Sequence, residues 1–260
     1  MDLYFAGLVA ILGLMIGSFL NCLIWRIYKG ETVSGRSYCP KCRKQIAWYD
    51  NIPLLSFIFL KGRCRFCQKN ISWQYPLVEL ATAVLFLLVW NMHSYLATQL
   101  SLEATWPLLR DLIIVIFAIV VFVYDYRWQL VPLNFVWIMS VLVAVLNIIT
   151  GQAWTAVLFY GVIGGAFFLT QYILTKKQGV GEGDIWLGIF LGLAFPNWAQ
   201  LLVILIFSYG IGSIVSLLLL ASRKKSWKSA IALGPFLALG AIIALLYGPL
   251  LIPWYLGLTY

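Results

Sequence analysis

Eight apolar runs constrain what this chain can fold into: 3–25, 77–95, 107–125, 133–150, 154–174, 184–196, 198–221 and 231–248. All but the sixth reach about 18 residues or more with few charges, long enough to cross a hydrocarbon core of about 30 Å as helices. In lipid each backbone N–H and C=O must find a partner within the segment, which leaves the helix as the form for such a run. Composition agrees. With 63% hydrophobic and 10% charged residues and a mean hydropathy of +0.93, too little polar surface remains to cover a soluble core. The sequence therefore predicts an all-α polytopic membrane protein with about eight transmembrane helices. The sixth run, from Asp184 to about Pro196, is short. It reads as a span in a locally thin region or as a half-helix, with seven spans plus a re-entrant segment as the alternative. The opening MDLYFAGLVA lacks the basic region and cleavage site of a secretory signal, so the first span is expected to be retained.

Orientation follows from Lys and Arg. Of the 18 basic residues, 17 fall in loops on one side of the predicted spans, ten of them between Arg26 and Lys69, then Arg127, Lys176, Lys177, Arg223, Lys224, Lys225 and Lys228. Arg110 alone is left for the other side, beside Asp111 and Glu103. The positive-inside rule assigns the basic side to the cytoplasm, with both chain ends outside. The net charge of +9 thus reflects loop topology and contact with anionic lipid head groups, and no nucleic-acid partner is expected.

Three segments are expected: a first transmembrane helix at 1–25, a cytoplasmic loop domain at 26–76 and a transmembrane core at 77–260. The loop carries YCPKCRKQ and GRCRFCQKN, in which Cys39 and Cys42 form one C-x-x-C pair and Cys64 and Cys67 a second, with 21 residues between the pairs. Two such turns supply the tetrahedral four-sulfur shell that zinc accepts, and a closed shell would be structural. A pair of disulfides or a redox dithiol is the alternative, disfavoured by a reducing compartment.

Two acids mark the membrane segments. Asp125 closes the third run in IVVFVYDYRWQLVP, and Asp184 opens the sixth in GVGEGDIWLG; both fall at the cytoplasmic side, where they can face each other. Asp184 alone fits a helix N-cap, whereas Asp125 stands at a helix end where the dipole disfavours an anion. Two carboxylates sharing one low-dielectric site can hold a single proton, so that one activates water while the other protonates a carbonyl, as in aspartic proteases. Gly179, Gly181 and Gly183 are expected to adopt positive φ and let a substrate backbone lie beside the acid. Gly181, Glu182 and Gly183 are the candidate substrate contacts, Glu182 as a local negative partner. A flexible connector is the plainer reading of the glycines.

These strings together resemble a known family. GVGEGD matches the G-x-G-D signature of intramembrane aspartyl proteases. GSFLNCLIWR, CPKC, WYDNIPLLSF, GRCRFCQKNISWQYPLVEL, Asp125 with its following LVP, and GPFLALG occur in the order found in bacterial type IV prepilin peptidases. The resemblance implies an aspartic endopeptidase of the bacterial inner membrane that cleaves the basic leader of prepilins or pseudopilins after Gly at the cytoplasmic face. It also implies N-methylation of the new N-terminus from S-adenosylmethionine, in type IV pilus or type II secretion systems. On that reading Asp125 and Asp184 occupy the catalytic positions, and Cys39, Cys42, Cys64 and Cys67 the zinc positions. The chain departs from the family where a second acid and Pro-Asp often follow the first aspartate; here stand Arg127 and Pro132-Leu133. A non-enzymatic membrane docking protein with a zinc loop, or a small proton-coupled transporter, would also place acids and cysteines in such a chain. The transporter reading lacks a visible internal repeat.

Overall fold

A computed structural model describes residues 3–93, 102–176, 179–222 and 232–256. The expected basic residues Lys177, Arg223, Lys224, Lys225 and Lys228, and the outermost residues of the second and eighth runs, lie outside these. Every apolar run becomes a helix: α1 (Leu3–Lys29), α3 (Gln74–Met92), α4 (Leu102–Trp128), α5 (Leu133–Ile149), α6 (Trp154–Leu174), α7 (Glu182–Ala194), α8 (Trp198–Ala221) and α9 (Gly234–Leu256). A five-residue helix α2 (Leu55–Phe59) lies in the loop after α1. Among the described residues the only extended pairing is two isolated bridges, Tyr38 with Gln45 and Arg63 with Asn70. Six helices (α1, α3, α4, α6, α8 and α9) are long and apolar enough to cross a bilayer, which makes the chain a membrane protein. The apolar α5 and α7 have 17 and 13 residues, so length and composition alone do not reach the expected eight crossings.

The chain forms two compact units, Met1–Gln99 and Leu100–Tyr260. In the first, α1 packs on α3 through the small residues its sequence offers. A Cβ added at Gly13 would stand 2.6 Å from the Ala83 Cα, and one at Gly17 2.7 Å from the Glu79 Cα. Glycine at these positions lets two backbones approach, the main source of helix association where lipid removes the hydrophobic drive. The connecting loop is tied to these helices by polar anchors. Arg26 is buried, and its guanidinium donates to the carbonyls of Val33, Ser34, Gly35 and Arg36. This cation of the basic loop therefore fastens the chain instead of meeting lipid. Glu79, buried on α3, accepts the Leu54 N–H at 2.8 Å, where Leu54 holds φ +60. The Asn21 amide donates to the Tyr75 carbonyl at 3.1 Å and accepts from Gln74 at the same distance.

The second unit is built around the short α7. Gly161, Gly164 and Gly165 of α6 face Gly188 and Gly192 of α7 so closely that a Cβ at Gly164 would overlap the Gly188 carbonyl. One at Gly192 would overlap the Tyr160 carbonyl. Because the obstacle is backbone, a larger residue here has nowhere to relax. Gly188→Val is expected to cost about 3 kcal/mol or more by overpacking, read as a lowered thermal midpoint of the purified protein in detergent. At its C-terminal end α7 is capped from a neighbour: the Asn147 amide of α5 donates to the carbonyls of Leu193 at 2.7 Å and Ala194 at 3.2 Å. Arg110 pairs with the buried Asp111 at 2.7 Å and reaches Asn147 at 3.3 Å. This polar knot lies at the α4 start, the α5 end and the α7 end. The α4 end and the α7 start, which carry Asp125 and Asp184, therefore lie at the opposite face of the unit.

Candidate active site

The cysteine cluster lies in the first unit. Cys39, Cys42, Cys64 and Cys67 are free thiols, not disulfides, and their sulfurs all lie within 4.8 Å of one another. Two copies of one turn bring them there. The Cys39 N–H donates to the Lys44 carbonyl and the Arg43 N–H to the Cys39 carbonyl; the Cys64 N–H donates to Lys69 and the Gln68 N–H to Cys64. Arg43 and Gln68 follow their second cysteines in the left-handed region, at φ +58 and +55. The repeated turn aims each pair of thiols at one point. Burial pushes the Cys39 thiol up to about 11. For Cys64 burial acts the same way but is outweighed by hydrogen bonds from the backbone of Cys67 and Phe66, and the thiol falls to about 7. Four sulfurs at this spacing could hold a metal ion.

The aspartates lie in the second unit. Asp125 occupies the last turn of α4 and is 5% exposed; Asp184 sits in the first turn of α7 and is 8% exposed. The Asp184 carboxylate accepts the Gly181 N–H at 2.9 Å, while its own N–H donates to the Gly181 carbonyl. Placed at a helix N-terminus, it meets a favourable dipole. Asp125 ends its own helix, but its carboxylate accepts the Gly234 N–H at 2.8 Å, at the very start of α9. A second helix N-terminus thus supplies the positive pole that α4 denies it.

Gly234 is indispensable to that contact, because a Cβ there would stand 2.5 Å from the Asp125 carboxylate oxygen. The sequence reading gave Gly234 no role. Its signals were the Gly-Pro pair at a helix start and its place at the head of GPFLALG, one of the strings that carry the family resemblance, neither of which names Asp125 as its partner.

The two acids share one end of the unit. Val131, six residues beyond Asp125, packs on Gly183, the residue before Asp184, where a Cβ would approach it to 2.5 Å. The carboxylates lie within electrostatic range of each other. Tyr209 of α8, whose hydroxyl donates to Gln171 of α6 at 2.8 Å, is within electrostatic range of Asp184. The glycines differ from expectation in one respect. Gly179, Gly181 and Gly183 do not adopt positive φ; Gly181 is extended at φ −78, ψ 155. They are small for close approach, Gly179 to Thr175 and Gly183 to Val131. Glu182 is exposed at the helix start.

Comparison with known proteins places these two constellations in matched regions. A model of the bacterial peptidase A24 N-terminal domain matches residues 11–93, which hold the four cysteines. A model of the type IV leader peptidase family matches residues 112–217, which hold Asp125 and Asp184. The prepilin leader peptidase/N-methyltransferase of Aeromonas salmonicida is 32% identical, with 98% of this chain and 94% of the relative covered. The proteins of the same name from Pseudomonas putida and Legionella pneumophila are each 31% identical, over 94% and 96% of this chain and 91% and 93% of theirs. No solved structure gives a significant match. With both halves matched in order and the relatives aligned over nearly the whole length, the chain belongs to the type IV leader peptidase family.

Proposed function

We propose that this protein is a prepilin leader peptidase and N-methyltransferase, and that Asp125 and Asp184 are its catalytic pair. The observation that carries the reading is that two buried carboxylates, each held by a glycine N–H, lie at the same end of the second unit. One carboxylate takes a proton from water as its oxygen bonds to the scissile carbonyl carbon. The partner, protonated, gives its proton to the carbonyl oxygen. Collapse of the tetrahedral species breaks the C–N bond, and the amine leaves with a proton from the pair. No covalent enzyme intermediate forms. Carboxylates brought together around one peptide in a desolvated site would share a proton, the state that this mechanism uses. Gly181, Glu182 and Gly183 lie beside Asp184 and are proposed to bind the substrate backbone and its basic leader.

The substrates are prepilins or pseudopilins, and the enzyme lies in the bacterial inner membrane with its active site toward the cytoplasm and both termini outside. The cysteine cluster is proposed to hold zinc. Four thiols in paired turns fit that ion, and a closed shell assigns it a structural role. S-adenosylmethionine would supply the methyl group. The described residues contain no strand-to-helix glycine turn of the kind that cradles dinucleotides and related cofactors, so the methyl-transfer half is carried by the family alone and no step is derived for it.

Purified protein in detergent is expected to cleave a synthetic prepilin with a basic leader, a Gly-Phe junction and an apolar tail, the product N-terminus being read by mass spectrometry. With S-adenosylmethionine present, the product gains one methyl group. No cleavage by folded, zinc-replete protein would reject the reading. Gly234→Ala is a sharper probe, since its Cβ would displace Asp125 or pull the α9 start away from it. Its kcat is expected to fall at least tenfold with KM little changed.

A further inference from the structure

Away from the cysteine turns, the loop between α1 and α3 presents large apolar side chains outward. Trp48 is 76% exposed, Ile58 66%, Phe59 79% and Trp73 68%, and Ile52 and Leu55 are open as well. Four of these six fall between Ile52 and Phe59, on the approach to α2 and on α2 itself (LSFIF), which has no buried residue. An exposed apolar patch of this density marks a surface that something covers.

What covers it follows from depth. The 19 residues of α3 rise about 28 Å, the thickness of a hydrocarbon core and no more. Its first residue, Gln74, therefore stands at the head-group boundary, and Glu79, five residues on, about 7 Å inside it. The Glu79 carboxylate accepts the N–H of Leu54, the residue that opens α2, at 2.8 Å. α2 is thus moored below the boundary. A second contact holds it at that level: the Phe57 ring packs on Trp73, the residue before α3, with 4.9 Å between ring centres. Helices that lie in the membrane interface bury an apolar face about 5–10 Å into the boundary region, the depth these two contacts set.

The charges suit an anionic surface. Between residues 30 and 73 stand eight basic residues, all exposed, against two acids. Both acids are occupied, Asp50 by Arg65 and Glu31 by the Tyr38 hydroxyl. Lys61 and Arg63 follow α2 directly, and Lys and Arg beside an apolar face are what draw an interfacial helix to anionic lipid.

We infer that α2 and its approach form an interfacial anchor, with Ile52, Leu55, Ile58 and Phe59 entering the acyl boundary of an anionic bilayer and the neighbouring Lys and Arg meeting its head groups. The contact is an apolar insertion, beyond the charge attraction expected of any basic loop. It holds the cysteine turns against the membrane surface, and it is independent of the peptidase reading.

The test uses the full-length protein in nanodiscs of phosphatidylethanolamine and phosphatidylglycerol. Phe59 is replaced by the photoreactive p-benzoylphenylalanine, and in a second variant Gln45, exposed beside the first cysteine turn, is replaced instead. After irradiation, intact-mass spectrometry is expected to find lipid adducts at least fivefold more abundant for position 59 than for position 45. Equal yields at the two positions would overturn the anchor. A synthetic prepilin added before irradiation tests the rival occupant: its apolar tail cross-linked at 59 in place of lipid would make the patch a substrate dock and reject the proposal. Position 58 serves in the same way if the variant at 59 fails to fold. Independently, the double variant Ile58→Asp, Phe59→Asp should raise amide exchange across α2 at least tenfold in the same nanodiscs, with the α6–α7 seam unchanged. Exchange equal to wild type there would also overturn the insertion.

Discussion

Asn at either 125 or 184 is expected to lower kcat/KM for prepilin cleavage by about 10³-fold or more. General acid–base groups each contribute about 10²–10⁴-fold, and here one group must gain a proton as the other loses one. The substitution is chosen for what it preserves. An Asn oxygen can still accept the Gly234 or Gly181 N–H, so both helix starts keep their partner while the titrating oxygen is lost. Thermal unfolding and metal content should therefore match wild type. Because the pair works as a unit, the double variant should be little worse than either single one, whereas independent contributions would multiply. A tenth or more of wild-type cleavage in either single variant would remove the dyad. The docking alternative predicts the opposite pattern, with biological function surviving both changes.

Much of this fold was legible because a bilayer restricts the choices. Charge-free runs of sufficient length have to be helices, and each became one. Helix and crossing are different matters, however. α7 was visible as an apolar run, but its 13 residues rise about 20 Å, short of a full core, and its length reflects the Asn147 cap and the glycine seam with α6. The C-x-x-C pairs were readable because their geometry is local. Asp184 was expected to be the N-cap itself, whereas Gly181 holds that position and Asp184 stands third in α7, its carboxylate reaching back to the Gly181 N–H.

What stayed hidden was long-range. The donor that makes Asp125 tolerable at a helix end is 109 residues distant, at Gly234, and no local pattern names it. Glu79 is a fastening under the loop through its bond to Leu54, 25 residues away, and no local pattern names that partner either. The glycines before Asp184 were expected to bend the chain, yet they serve to admit neighbours, because the side chain of Val131 occupies the space a Cβ would need. Sequence shows that a residue is small; only packing shows against what.

Removal of the metal is expected to have the second large effect, and an effect confined to the first unit. Between residues 30 and 73 only Cys39 is buried, so this stretch has no apolar core of its own. Segments of that size need staples, and the four thiols are the strongest candidate. The remaining ties are few. An exposed Arg65–Asp50 pair at 2.6 Å contributes little, the Arg26 clamp acts at the start of the loop, and the Glu79–Leu54 bond holds a single point near its middle. Zinc in small cysteine and histidine sites binds with about 10–16 kcal/mol at pH 7, far above what these ties supply. The double variant Cys64→Ser, Cys67→Ser should therefore carry no zinc by elemental analysis, against one ion per chain in wild type. Amide exchange in the loop should rise by orders of magnitude, while the α6–α7 seam keeps its protection. Acid should act similarly, because metal binding requires thiolates and protons compete for them. If the loop of the zinc-free variant kept wild-type exchange protection, the metal would not be what holds it. A zinc-free wild type with an ordered loop would lead to the same conclusion.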